Sequence, residues 1–152
     1  MIRIMFICLG NICRSPMAEF VMKELVRRAG EEKEFEIASS ATSREEIGND
    51  IHYGTRRMLE EMNIPFTRRA AVQLTRADYD KYDLLLAMDT SNLRNIERIT
   101  GGDPEGKVHL LLEYAGENRS IADPWYTGDF EETWRDVLRG CEALYKSLKK
   151  QK

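Results

Sequence analysis

Short apolar runs alternate with amphipathic stretches along most of this chain. Residues 2–7 form the first run, and its β-branched and aromatic side chains predict a buried strand. Similar runs predict strands at residues 35–38, 83–88 and 108–112. Apolar positions at helical spacing predict helices at residues 17–29 and 52–62, a short helix from Thr75, one from about Asp89 to Ile99, and a long one over residues 129–150.

This order of strands and helices favours an α/β fold. Strands that alternate with helices form a parallel, doubly wound sheet with right-handed crossovers, and such sheets carry their sites at the carboxyl ends of the strands. Cys8, the small residues 39–43 and Asp89 all follow predicted strands at that edge. The pattern shows no internal repeat or linker, so residues 1–152 are expected to form a single domain.

Composition and charge exclude several classes of partner. The net charge is −3 with both signs interspersed, so neither nucleic acid nor an anionic membrane is expected as a partner. No apolar run approaches the roughly 20 residues of a membrane span, and three cysteines argue for reduced thiols in the cytoplasm. Neither the cysteines nor His52 and His109 form a zinc ligand set, so no metal or other cofactor is expected.

The segment with the clearest chemistry is Cys8-Leu-Gly-Asn-Ile-Cys-Arg14-Ser15, between the first strand and a helix opened near Pro16. Unpaired backbone N–H groups at a helix N-terminus bind anions, and with Arg14 they would stabilise Cys8 as a nucleophilic thiolate. The planar guanidinium of Arg14 matches two oxygens of a phosphoryl group. A lone cysteine at a strand end is most often a packing residue, but this spacing and context favour phosphoryl chemistry. A nucleotide-binding loop would need a Gly-Lys-Ser/Thr ending, which is absent from this segment.

A phosphocysteine formed at Cys8 would need a proton donor for the leaving group and then a base for water. Asp123 is a candidate, because Pro124 stiffens the loop that carries it. Trp125 and Tyr126 could line a slot for an aromatic substrate. Taken alone, Asp-Pro is also a common turn, and two aromatic residues are also a common surface patch.

Residues 8–19, Cys-Leu-Gly-Asn-Ile-Cys-Arg-Ser-Pro-Met-Ala-Glu, resemble the signature loop of the low-molecular-weight protein tyrosine phosphatases, and the resemblance continues along nearly the whole chain. It implies a three-layer sandwich with a four-stranded parallel sheet of order 2-1-3-4 and helices on both faces. It also implies metal-free catalysis, with Cys8 as nucleophile, Arg14 holding the phosphoryl oxygens and Asp123 as acid and base. The implied phosphate-binding residues are Leu9, Gly10, Asn11, Ile12, Cys13 and Ser15.

The resemblance also implies a supporting network around the loop. Ser15 would hydrogen-bond the Cys8 sulfur and assist it as a leaving group. Further members would be Ser39, Ser43, Asp89, Ser91 and Asn92, although helix capping and strand-end turns explain these positions equally well.

Two positions depart from the family pattern. Many relatives carry an aromatic residue on the loop after strand two, where this chain has Glu45, so that wall of the slot loses a ring and gains negative charge. Arg68 stands where some relatives carry a histidine, beside Arg69 in a basic patch.

The predicted activity is hydrolysis of phosphotyrosine in proteins, or of small aryl phosphates, with release of inorganic phosphate by a monomer or weak homo-oligomer. An arsenate reductase of this fold is one alternative, but it needs two additional cysteines, and Cys141 lies on the apolar stripe of a helix. A protein-arginine phosphatase is another, although such enzymes tend to have threonine in place of Ile12 and a small residue in place of Tyr126. A phosphocysteine carrier that does not hydrolyse its phosphate would have no use for Asp123.

Overall fold

The computed structural model describes residues 1–150, and a four-stranded parallel sheet of order β2-β1-β3-β4 lies at its centre. The strands are β1 (Ile2–Cys8), β2 (Phe35–Ala41), β3 (Leu84–Ala87) and β4 (Val108–Leu110). The predicted strand order and parallel direction are therefore confirmed. Residues 151 and 152 of the predicted domain lie outside the described residues.

Six α-helices connect and cover these strands within residues 1–150. They are α1 (Arg14–Arg28), α2 (Tyr53–Glu61), α3 (Arg76–Lys81), α4 (Thr90–Thr100), α5 (Pro124–Thr127) and α6 (Phe130–Lys150). Two short 3₁₀ turns lie at Glu32–Glu34 and Leu111–Ala115. Thr75 caps α3 through the capping box that its sequence predicts.

The helices pack on both faces of the sheet, which confirms the predicted three layers. Successive side chains of a strand point to opposite faces. Accordingly, Ile4 and Phe6 of β1 join a buried apolar cluster with α1 and α6, whereas Met5 and Ile7 join a second cluster with Ile96 of α4. Cys141 of α6 lies fully buried in the first cluster, as expected of a packing residue.

Three element boundaries differ from the sequence expectation by two residues or more. Strand β2 runs three residues further, to Ala41, because Ser39–Ala41 pair with the end of β1 although they lack an apolar alternation. Helix α1 begins at Arg14, two residues before Pro16, so the helix N-terminus lies closer to Cys8. Strand β4 ends at Leu110, and the apolar run continues into a 3₁₀ turn, where Leu111 and Leu112 are still buried.

Within residues 1–150, every helix falls short of the length or the apolar character that a membrane crossing requires.

Candidate active site

Cys8 occupies the last position of β1, and its side chain is only 3% exposed. Its Sγ accepts hydrogen bonds from the backbone N–H groups of Asn11 (3.3 Å) and Ser15 (3.4 Å), and the Ser15 hydroxyl lies 3.0 Å away. Ser15 belongs to the first turn of α1, so the positive end of that helix faces the sulfur. Two backbone N–H groups, a hydroxyl and a helix N-terminus therefore converge on the Cys8 sulfur.

Asn11 holds the loop in shape from its centre. Its φ of 58° lies in the left-handed region, which asparagine tolerates better than most residues and which lets the loop fold back over Cys8. The side-chain amide donates to the hydroxyls of Ser15 and Ser39, at 2.8 Å each. The Ser39 hydroxyl in turn donates to a Glu19 carboxylate oxygen at 2.5 Å. The sulfur is therefore connected through hydrogen bonds to Ser39 of β2 and to Glu19 of α1.

Arg14 is 1% exposed, and carboxylates surround its guanidinium. One terminal nitrogen donates to Asp89 (2.7 Å) and to the Ile121 carbonyl (3.0 Å), and the other donates to Asp123 (3.2 Å). Burial alone lowers the pKa of Arg14, but a Cys8 thiolate, the Asp123 charge and the bond to Asp89 outweigh it, so the pKa rises above its usual value. The Nε N–H is buried and has no hydrogen-bond partner within residues 1–150.

Asp123 is the N-cap of α5, so the predicted stiff loop is a one-turn helix with Pro124 at its first position. One carboxylate oxygen accepts from the Trp125 N–H at 3.1 Å, and the other accepts from Arg14. The cap fixes the carboxyl group beside the guanidinium. A carboxyl group in that position can reach an atom bound between Arg14 and Cys8.

These groups meet in one cavity of about 90 Å³. Its floor is the loop from Cys8 to Arg14, and its walls are Glu45 and Glu46 on one side and Asp123, Trp125 and Tyr126 on another. The three predicted catalytic residues and the three predicted slot residues thus lie around one opening. A narrow cavity with a cysteine sulfur and an arginine at its base suits a tetrahedral oxyanion.

Comparison with known proteins agrees with this geometry. The family model for low molecular weight phosphotyrosine protein phosphatase matches residues 3–152. The chain belongs to this family. The low molecular weight protein-tyrosine-phosphatase YfkJ of Bacillus subtilis is 36% identical over 154 residues, which cover 100% of this chain and 99% of YfkJ. The family's phosphotyrosine protein phosphatase from Schizosaccharomyces pombe is 42% identical over 152 residues, with 97% of each chain covered.

Solved structures of family members superimpose closely on this chain. The crystal structure of YfkJ gives a TM-score of 0.96 and covers 100% of this chain and 97% of its own. The Streptococcus pyogenes low molecular weight protein tyrosine phosphatase SP-PTP gives a TM-score of 0.88 at 40% identity, with 97% and 93% covered. Both the sheet order and the helices around it therefore match family structures.

The predicted supporting residues divide into two groups in this family member. Ser39 contacts Asn11 directly, the Ser43 hydroxyl donates to the Leu9 carbonyl at 2.9 Å, and Asp89 holds Arg14. Asn92 acts at one remove: its N–H and side chain form a capping box with Asp89, and this box fixes the carboxylate that accepts from Arg14.

Ser91 is a correction to the prediction. It is exposed in the first turn of α4, and its hydroxyl accepts from Arg94 at 3.0 Å rather than contacting the loop after Cys8. Neighbouring positions in a helix point in different directions, so Asn92 faces the site and Ser91 faces away from it.

Cys13 lines the cavity as a neutral thiol. Burial, together with the charge of a nearby Cys8 thiolate, raises the pKa of Cys13 to about 12. The two cysteines of the loop therefore differ in surroundings. Backbone N–H groups donate to the sulfur of Cys8, whereas burial is the main cause of the raised pKa of Cys13.

The sequence interpretation missed Arg69. Its guanidinium donates to the Asn11 carbonyl oxygen (2.5 Å) and to the Asn11 side-chain oxygen (2.6 Å), while Arg68 beside it is exposed. Two adjacent arginines in an irregular segment give no periodicity that would identify the inward one. In the structure Asp50 holds the Arg69 backbone in place, because its carboxylate accepts a hydrogen bond from the backbone N–H of Arg69 at 3.3 Å.

The interpretation also missed His52, which supports the aromatic wall that Trp125 and Tyr126 form beside the cavity. The imidazole stacks between Tyr53 and Phe130, with centroid distances of 4.4 and 5.2 Å, and meets the Trp125 ring edge-on at 5.6 Å. Its Nδ1 accepts from the Gly54 N–H and so caps α2. The position of Trp125 is therefore linked to the start of α2.

Proposed function

We propose that this chain hydrolyses phosphotyrosine in proteins and small aryl phosphates in two covalent steps without a metal ion. The observation that carries the proposal is the meeting of Cys8, Arg14 and Asp123 in one narrow cavity, with an unpartnered guanidinium N–H at its base. Family membership supports the same activity.

In the first step the phosphoryl oxygens bind to the loop N–H groups and to Arg14. The Cys8 thiolate attacks phosphorus, an S–P bond forms, and the bond between phosphorus and the tyrosine oxygen breaks. Asp123, in its protonated form, gives its proton to the departing oxygen. Arg14 stabilises the transition state because its fixed charge meets the negative charge that builds on the oxygens.

In the second step water attacks the phosphocysteine, and the Asp123 carboxylate accepts a proton from that water. The S–P bond breaks, inorganic phosphate leaves, and Cys8 returns as a thiolate. The Ser15 hydroxyl, 3.0 Å from Sγ, is positioned to donate to the leaving sulfur. The N–H groups of Asn11 and Ser15 stabilise the same negative charge.

The alternatives from the sequence are less well supported. A reductase would have to pass oxidising equivalents to Cys141, but that thiol is fully buried in α6 against the Ala18 carbonyl. A phosphocysteine carrier would not need the acid and base role proposed for Asp123. Both Ile12 and Tyr126, the positions that argue against a protein-arginine phosphatase, line the cavity.

We also propose that residues 1–152 work as one domain in the cytoplasm, as a monomer or weak homo-oligomer. All three cysteines are free thiols, which suits a reducing compartment.

The test is turnover of p-nitrophenyl phosphate by reduced protein in excess EDTA. We expect many phosphates released per enzyme, and we expect Cys8→Ser to abolish turnover while it still binds phosphate or vanadate, since Arg14 and the loop N–H groups remain. Release limited to one phosphate per protein would indicate a carrier. Turnover retained by Cys8→Ser would remove Cys8 as nucleophile.

A further inference from the structure

The cavity has opposite charge at its two ends. At the base lies the Arg14 guanidinium, whose buried Nε has no partner within residues 1–150. At the rim lie Glu45 and Glu46, and apart from Arg14 and Asp123 they are the charged residues that line the cavity in the described part of the chain. A phosphoryl dianion is attracted by the base, but it has to pass a rim of the same sign.

Glu45 is tethered to the phosphate loop by its backbone. Its N–H donates to the Ser43 hydroxyl at 3.4 Å, and that hydroxyl donates to the Leu9 carbonyl. The Glu45 side chain is exposed, and its carboxylate has neither a hydrogen-bond nor an ion-pair partner among residues 1–150. It is therefore available to a bound molecule.

Glu46 brings a second carboxylate to the same rim. Its side chain packs over the loop, since a Cβ built on Gly10 would lie 3.4 Å from the Glu46 Cγ. Its carboxylate accepts from the Asn49 side chain at 2.6 Å, which leaves its negative charge uncompensated. The rim therefore carries two negative charges close to the phosphate loop.

The aromatic wall completes a site that suits a cation. Trp125 is 56% exposed and Tyr126 is 76% exposed, so their rings are open to a ligand at the mouth. Aromatic faces attract Lys and Arg side chains as well as tyrosine rings. Carboxylates and aromatic rings thus surround the opening, and the residues next to a bound phosphotyrosine would lie against them.

We propose that Glu45, supported by Glu46, makes this enzyme select phosphotyrosines that have Lys or Arg within two residues. This inference rests on the proposed function and names its substrate class. The phosphoryl group binds at Arg14, and the basic neighbour pairs with the rim carboxylates. An exposed ion pair is worth about a three-fold preference, and repulsion of an acidic neighbour adds a comparable factor. Screening by salt weakens both effects.

The experiment uses three phosphotyrosine peptides that differ only in whether the flanking residues are Lys, Ala or Glu. For the natural sequence at low ionic strength we expect kcat/KM for the Lys peptide to exceed that for the Glu peptide by on the order of ten-fold, with the ratio falling as salt is added. Glu45→Gln should reduce the ratio to about three-fold, and Glu45→Lys should bring it to one or below. Each ratio is measured within one preparation, so a change in the active fraction cancels.

Glu97→Gln is the matched control, because it removes the same charge from an exposed position on α4 that does not line the cavity. It should keep the natural ratio. Equal kcat/KM for the three peptides at low salt, or a ratio that Glu45→Lys leaves unchanged, would overturn the inference while the phosphatase activity stands. Failure to hydrolyse p-nitrophenyl phosphate would instead overturn the proposed function, and the inference with it.

Discussion

At the scale of single residues, Asn11 shows how much of the loop's shape depends on one side chain. Its backbone takes the left-handed conformation, its amide nitrogen holds Ser15 and Ser39, and its two oxygens accept from Arg69. The Val72 N–H adds a further bond to the side-chain oxygen at 3.2 Å. The loop is therefore held from outside its own sequence, and Arg69 is the main external support.

We expect Arg69→Ala to weaken the binding of inorganic phosphate by about ten-fold or more, because a charged donor to two buried acceptors is lost. Phosphate inhibition of p-nitrophenyl phosphate turnover measures this effect separately from the overall amount of folded protein. Arg68→Ala is the control, since it removes the same charge from an exposed side chain. Equal inhibition constants for the two variants would show that Arg69 does not position the loop.

Among the helices and strands, the close approach of α6 to the end of the sheet depends on Gly140, which has no side chain. A Cβ built on Gly140 would lie 2.6 Å from the Cγ of Leu111, which is far closer than packed atoms tolerate. Leu111 is fully buried in the 3₁₀ turn after β4. Gly140 thus lets the long helix close on the end of the fourth strand, and α6 in turn brings Phe130 beside His52 and the aromatic wall.

We expect Gly140→Ala to lower the free energy of unfolding by about 1–3 kcal/mol through overpacking. Helix propensity alone predicts a gain of about 0.5–1 kcal/mol, so the sign of the change is decisive. Chemical denaturation of the two single variants and of the double variant with Leu111→Ala completes a double-mutant cycle, which measures the coupling between positions 140 and 111. If the contact is responsible, the two substitutions together should cost less than the sum of each alone; additive costs would mean that the loss comes from elsewhere.

At the scale of the whole molecule, carboxylates held by cationic partners link stability to pH. Glu24 on α1 accepts hydrogen bonds from Arg27 (2.6 Å) and Arg28 (2.8 Å), and these bonds, chiefly that from Arg27, lower the pKa of Glu24 to about 2. Hydrogen bonding to Lys81 also lowers the pKa of Glu36. Because these pKa values are lower in the folded chain than in the unfolded chain, the unfolded chain takes up protons first as the pH falls.

The stability contributed by Glu24 should therefore be complete above its usual pKa of 4.5 and be lost progressively as the pH falls toward 2. We expect Glu24→Gln to lower the free energy of unfolding by about 1 kcal/mol at pH 7 and by less near pH 3, since two helical ion pairs are removed. Denaturation at several pH values measures the difference. Glu60→Gln, at an exposed position of α2, should show no such pH dependence; the same deficit at pH 7 and pH 3 would contradict the linkage.

Most of the fold could be predicted from local pattern, because buried strands and amphipathic helices leave period-two and period-3.6 signals in the sequence. The boundaries that the pattern missed have a common cause. Ser39–Ala41 belong to a strand because of their partners in β1, and Leu111 is buried in a turn because of α6. In both places packing against a distant segment, rather than local preference, decides the conformation.

The shape of residues 8–15 could be predicted from the sequence alone, because Cys8, Arg14 and the start of α1 are close in sequence and a strand-loop-helix brings them together locally. The residues alone made Asp123, 109 positions from Arg14, one candidate, and resemblance to the family made it the expected acid and base. Long-range packing determines that Arg69 rather than Arg68 supports Asn11, that Ser91 faces away from the site, and that Glu45 and Glu46 form the acidic rim. Which of two neighbouring side chains points inward depends on the path of the backbone through irregular segments and on contacts between distant residues, and neither leaves a periodic signal in the sequence.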